Sequence, residues 1–155
     1  MKRFLTAVIL TGALGAAPEP VTWTVQSAPP PPLKAGARFN VKLVAKIQDG
    51  WHLYSMKPMA EGPLATRIWL AEGQPFTLAG VIAATEPRVM HDTSFGMEVE
   101  LYEGDAAFTL PVRVAAAAPA GPQKVIVNTS YQTCDNKICL PPKTVKVEVP
   151  VTVAK

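Results

Sequence analysis

The chain has 155 residues, a formal net charge of +3, 48% hydrophobic and 17% charged side chains, and two cysteines. That length makes one domain with a sizeable core, and the absence of any basic stripe or charge block argues against a nucleic-acid partner. Sixteen prolines scattered along the sequence exclude a helical bundle.

Lys2 and Arg3 precede an almost wholly apolar or small run over 4–17, interrupted only by Thr6 and Thr11. Gly15-Ala16-Ala17 then offers small residues for cleavage, and Pro18 follows. This is the pattern of an export signal. Residues 1–17 are therefore read as a signal peptide and 18–155 as one mature domain placed in the periplasm. An uncleaved N-terminal anchor is the alternative, although the run is shorter than the roughly 20 apolar residues of a spanning helix. No later stretch predicts a membrane span, and the mature chain is expected to be a monomer.

Residues 21–27 give the first predicted strand. Pro29-Pro30-Pro31-Pro32 follows as a stiff extended spacer. In 39–47, Phe39, Val41, Leu43, Ala45 and Ile47 alternate with Asn40, Lys42 and Lys46, with Val44 the exception. That period of two marks a half-buried strand. Asp49-Gly50 predicts a turn, and Trp51-His52-Leu53-Tyr54 resumes extended chain. Further strands are predicted over 66–70, 76–78, 97–102, 106–114, 124–133 and 144–151. Gly62-Pro63, Gly73-Gln74-Pro75, Gly104-Asp105 and Gly121-Pro122 separate them. The alanines at 115–118 are closed off by Pro119 and read as a loop. About seven to nine short strands in one domain predict an all-β, immunoglobulin-like antiparallel β-sandwich.

The chemistry centres on Tyr131-Gln132-Thr133-Cys134-Asp135-Asn136-Lys137-Ile138-Cys139-Leu140-Pro141-Pro142. A strand leads in and another leads out, so the cysteines sit at a hairpin end, and Asp135-Asn136 supplies turn chemistry. Facing positions across a hairpin lie within the disulfide range of about 4.4–6.8 Å between Cα atoms. In an exported chain such a pair normally oxidises. A bridge closing about six residues constrains the unfolded chain by roughly 2 kcal/mol, against about 4.7 for a 100-residue loop. That suits an exchangeable disulfide, which needs an accessible sulfur and an attacking thiolate. A purely structural staple is the competing reading. Zinc is a third, with His52 and His91 completing four ligands, but their spacing matches no common site. No metal and no cofactor is expected. Lys137 would favour a thiolate and Asp135 oppose it. Neither a Gly-x-Ser-x-Gly element nor a phosphate-cradling loop is present.

The segment Tyr131 to Pro142 resembles the N-terminal periplasmic domain of the disulfide reductase DsbD. Asp49-Gly50-Trp51-His52-Leu53-Tyr54-Ser55 is similar to that family's aromatic strand after a turn. His91-Asp92-Thr93-Ser94-Phe95-Gly96, with the stretch 98–104, is similar to its cap loop and next strand. The likeness covers about residues 20–152. It implies an immunoglobulin-like fold whose cysteines shuttle between dithiol and disulfide. It also implies electrons received from a thioredoxin-like donor of a membrane-embedded disulfide reductase and passed to exported thioredoxin-fold proteins, such as disulfide isomerases or cytochrome c maturation factors. By the same resemblance Cys139 forms mixed disulfides and Cys134 resolves them. Phe95 is then the cap that shields the pair, with Tyr54 and Asp92 near the sulfurs.

The sequence departs from the family in three ways. Four residues separate the cysteines where some members have five. His52 stands where some have Tyr, and its place beside Trp51 and Tyr54 suits it to tune a thiol. The sequence shows neither a thioredoxin-like portion nor spanning segments, so the reductant is expected to be another chain. Against this redox relay stands a non-enzymatic exported binding module whose disulfide only pins the hairpin.

Overall fold

The computed structural model describes residues 19–155, so the predicted signal peptide at 1–17 lies outside the described residues. Twelve strands follow in order: β1 (Val21–Ser27), β2 (Arg38–Ile47), β3 (His52–Tyr54), β4 (Arg67–Leu70), β5 (Phe76–Leu78), β6 (Ala83–Ala84), β7 (Arg88–Asp92), β8 (Met97–Tyr102), β9 (Asp105–Val114), β10 (Gly121–Tyr131), β11 (Thr133–Cys134) and β12 (Lys143–Val153). No helix among the described residues is long and apolar enough to cross a membrane.

Period-two alternation builds two facing sheets. One runs β1-β2-β9-β5, with β6 also on β9; the other runs β12-β10-β4. In β2 the predicted face of Phe39, Val41, Leu43, Ala45 and Ile47 is buried. It stands in antiparallel register with β9, Val41 opposite Leu110 and Leu43 opposite Phe108. Across the sandwich, Val125, Val127, Val147, Val149 and Val151 supply the opposing inner face, and all join one apolar core. The exception in the alternation, Val44, is buried as well. The proline segment links β1 to β2, and beyond it Leu33 pairs with the far sheet: its N–H donates to Thr152 O at 2.7 Å and its carbonyl accepts from Ala154 N at 2.7 Å.

A third sheet, β11-β3-β8-β7, sits at one end of the sandwich. Its strands are short, and two of the twelve, β6 and β7, fall where no strand is predicted. Ala83 and Ala84 are exposed, and in β7 only Asp92 is buried, so neither segment carries a legible alternation. His91, which the resemblance assigns to the cap loop, is an exposed residue of β7. The predicted strand 124–133 divides at Gln132 into β10 and β11.

Leu110 is fully buried on β9. Leu110→Ala is expected to lower the unfolding free energy by about 2–5 kcal/mol in urea denaturation. Val81→Ala, at a side chain that is 91% exposed, should change it by less than about 0.5 kcal/mol.

Candidate functional site

β10 and β12 pair without interruption from Gly121 opposite Val153 to Tyr131 opposite Lys143. The hairpin end beyond Tyr131 then leaves the sandwich and joins the third sheet, with Thr133 opposite Leu53 and Cys134 opposite His52. Cys134 also faces Cys139 across the turn. Their sulfurs are bonded at 2.02 Å with Cα atoms 4.0 Å apart.

The turn holds itself without the sulfurs. Asp135 N–H donates to Ile138 O and Leu140 N–H to Thr133 O, both at 2.9 Å. The Asp135 carboxylate accepts the N–H groups of Lys137 and Ile138, each at 2.7 Å. Those Ile138 and Lys137 amides hold the Asp135 carboxyl below its ordinary range. Lys137 thus serves the turn through its backbone.

The two sulfurs live in different surroundings. Cys134 is fully buried with Tyr54, Val99 and Leu101, while Cys139 is half-buried at the edge of that cluster together with Phe95. Phe95 lies in the tight turn between β7 and β8, where Gly96 takes a φ of 65° and donates its N–H to Asp92 O at 2.8 Å. Its ring meets Tyr54 edge-on at 6.0 Å. Met59, Met90 and Met97 pack against the same cluster.

Beneath the pair runs a buried polar chain. Tyr54 Oη donates to Asp92 Oδ2 at 2.6 Å. His52 Nε2 lies 3.2 Å from Tyr54 Oη and 3.7 Å from Asp92 Oδ2. Asp92 Oδ1 accepts the Ser94 N–H at 2.8 Å. Burial alone would push the Asp92 carboxyl up, but the hydrogen bonds from Tyr54, Ser94 and Phe95 and the neighbouring His52 outweigh it and hold it below 3.8. Burial also raises the Tyr54 phenol well above its ordinary value, and the bond to Asp92 adds to this, so Tyr54 stays protonated. Burial lowers His52 below 6.5 against the pull of Asp92, Glu103 and Asp135.

The residues singled out in the sequence, His52, Tyr54, Asp92, Phe95, Cys134 and Cys139, therefore converge on one end of the fold. His91 does not join them: it is exposed on β7. Among the described residues no three His, Cys, Asp or Glu side chains converge to hold a metal ion. Sequence reasoning passed over the methionines. Apart from Met1, all lie in the short windows 56–59 and 90–97, beside the two segments that flank the cysteines in space, and that clustering was a usable signal. Methionine fills irregular gaps and contacts sulfur and aromatic groups well.

An antiparallel sandwich that carries a cystine hairpin over a buried phenol–carboxylate pair defines a thiol–disulfide domain on an immunoglobulin-like scaffold. Residues 22–150 match the family described as thiol:disulfide interchange protein DsbD, N-terminal, and the chain belongs to it. Among solved structures, the Neisseria meningitidis DsbD N-terminal domain in its reduced form has 20% identity and a TM-score of 0.52, over 76% of this chain and 82% of that one. The N-terminal periplasmic domain of ScsB from Proteus mirabilis has 15% identity and a TM-score of 0.50, over 85% of this chain and 45% of that one. At such identities these likenesses speak for the fold, which is the predicted immunoglobulin-like sandwich. A comparison with curated protein sequences found no match.

The buried groups make stability depend on pH in two windows. His52 titrates below 6.5 in the folded chain, so the unfolded chain takes up its proton first. Stability is full above about pH 6.5 and falls as pH drops through the folded value. Asp92, held below 3.8, adds a second loss as pH falls through its own folded value. Urea denaturation across pH should show both slopes, and His52→Gln should abolish the upper one and slightly weaken the lower, to which the His52 charge contributes.

Proposed function

We propose that this chain is an electron relay of the periplasm, a protein-disulfide reductase component that passes reducing equivalents through Cys134 and Cys139. Residues 1–17 direct export and are removed, leaving 18–155 as the working domain. The observation that carries this reading is the unequal burial of the two cysteines in one hairpin turn. Cys139 is half-buried, whereas Cys134 is fully buried. A relay needs that division: one sulfur meets the partner and the other waits beside it.

In the reduced chain the Cys139 thiolate attacks a sulfur of the partner's disulfide. The partner's S–S bond breaks, its second sulfur leaves as a thiolate, and a mixed disulfide joins Cys139 to the partner. Cys134, as its thiolate, then attacks Cys139 Sγ. The intermolecular bond breaks and the intramolecular one forms, so two electrons have moved to the partner. Thioredoxin-fold proteins are the acceptors, including disulfide isomerases and cytochrome c maturation factors, and the thioredoxin-like donor of a membrane-embedded disulfide reductase restores the dithiol. Phe95 caps the pair against stray oxidants. Membership of the interchange family supports the exchange chemistry.

Cys134→Ser, expressed in the periplasm, should accumulate disulfide-linked complexes of Cys139 with thioredoxin-fold proteins, seen on non-reducing gels and identified by mass spectrometry. Empty traps from both Cys134→Ser and Cys139→Ser would overturn the relay and leave the binding-module reading. A reduction potential below roughly −300 mV in glutathione buffers would do the same, because it marks a permanent bridge.

Phe95→Ala should speed oxidation of the reduced pair by glutathione disulfide several-fold, while the melting temperature shifts little because Phe95 is only half-buried. An unchanged oxidation rate would remove Phe95 from the cap role.

A further inference from the structure

The relay reading leaves one proton unassigned. When the mixed disulfide forms on Cys139, Cys134 is a thiol, fully buried and cut off from bulk hydroxide. It must lose its proton before it can attack. Resting on that reading, we propose that His52 is the general base for Cys134, and that Tyr54 and Asp92 orient and charge-balance it.

The hydrogen bonds fix the tautomer. Tyr54 has one hydroxyl proton, and it goes to Asp92 Oδ2 at 2.6 Å. The contact of 3.2 Å between His52 Nε2 and Tyr54 Oη must therefore run from an Nε2–H donor to the phenol oxygen. Nε2 carries the proton, so Nδ1 keeps the lone pair. The result is a carboxylate–phenol–imidazole chain with its basic nitrogen at the free end. His52 stands directly opposite Cys134 in the β3–β11 register. Directly opposed residues project to the same face of a sheet, with Cβ atoms about 4.5–5.5 Å apart.

The surroundings suit an imidazole that gains and loses a proton. Burial disfavours the imidazolium and sets the net direction, while Asp92 from β7, Glu103 from the β8–β9 turn and Asp135 from the hairpin each favour it. Tyr54, from the same strand, stays a neutral phenol. A cavity of about 310 Å³, lined by His52, His91, Asp92, Ser94 and Asp135 among others, opens beside the ring. It gives the proton a way out.

The step balances. Nδ1 takes the proton from Cys134 Sγ. The sulfur's freed electron pair forms the bond to Cys139 Sγ, and the bond from Cys139 to the partner breaks. The partner leaves as a thiolate and receives a proton released from the imidazolium through the cavity.

The test follows resolution in the full chain. The reduced protein is mixed with one equivalent of a nitrobenzoate disulfide, which releases one coloured thiolate on attack by Cys139 and a second when Cys134 resolves. The second phase is timed between about pH 5 and pH 9. In the wild type its rate should rise through an inflection below 6.5 and then level off. His52→Gln keeps a hydrogen-bond donor but cannot take the proton. It should lose the inflection, vary in proportion to hydroxide, and run at least about tenfold slower near neutral pH. An unchanged profile overturns the proposal. Should His52→Gln fail to fold, the wild-type inflection is compared with the His52 titration read by NMR in the Cys134→Ser mixed disulfide. Coincidence supports the assignment, and displacement by more than half a unit overturns it. A second phase missing at every pH in the wild type would instead defeat the relay reading, and this inference with it.

Discussion

The site depends on a two-residue pairing, Thr133 opposite Leu53 and Cys134 opposite His52. It fastens the tip of the longest hairpin to the small third sheet, and everything near the sulfurs is placed relative to it. β3 can serve as the anchor because it is buried on both faces. Leu53 enters the main core, while its neighbour Tyr54 enters the cluster that holds Cys134. Side chains alternate along a strand, so a slip of one residue would send Leu53 to the site and the polar pair into the core. Two hydrogen bonds just beyond Tyr54, one to Thr66 and one continuing the ladder to β8, guard against that slip. Thr66 Oγ1 donates to Tyr54 O at 2.6 Å, and Ser55 N–H donates to Glu100 O at 2.8 Å.

A buried carboxylate beneath a disulfide needs a reason to stay charged. Burying Asp92 without partners would drive it toward its neutral form. Here one oxygen accepts a phenol and the other a backbone N–H, and His52 stands close by. The arrangement spends the Tyr54 proton on Asp92 and so dictates how His52 is protonated. A tyrosine in place of His52 would keep a polar group at that position but could not supply a basic lone pair.

Legibility in the sequence followed burial. β2, β9, β10 and β12 bury one face and expose the other, so their alternation could be read directly. β7 was missed because four of its five residues lie outside the buried class, leaving Arg88-Val89-Met90-His91 without a pattern. The cysteines were legible from their spacing and turn residues alone. Tyr54, Asp92 and Phe95 could be attached to them only through the family resemblance. The reason is physical: the bond between Tyr54 and Asp92 spans 38 residues, and no local rule reports a contact made by folding a separate edge strand over the site. Met59, Met90 and Met97, which pack around the site, belong to the same class. They stand in two separate stretches of sequence, and only the fold brings the β7–β8 hairpin and the β3–β4 connection together.

What lets two sulfurs part without loosening the domain is that nothing else is built on their bond. The turn between them rests on four hydrogen bonds, two between backbone groups and two from backbone amides to Asp135. Opening the S–S bond removes none of them. The ladder below, from Tyr131 opposite Lys143 onward, and the anchor on β3 are equally independent of it. The bridge spans only a short loop, so its entropic contribution is small, about 2 kcal/mol, against the long ladders and core beneath it. The open pair therefore stays held at short range by the same turn, and reclosure resembles an intramolecular step between preplaced groups. In this geometry the disulfide can open while the four hydrogen bonds of the turn that presents it stay in place. That is the combination a bond meant to break and reform requires.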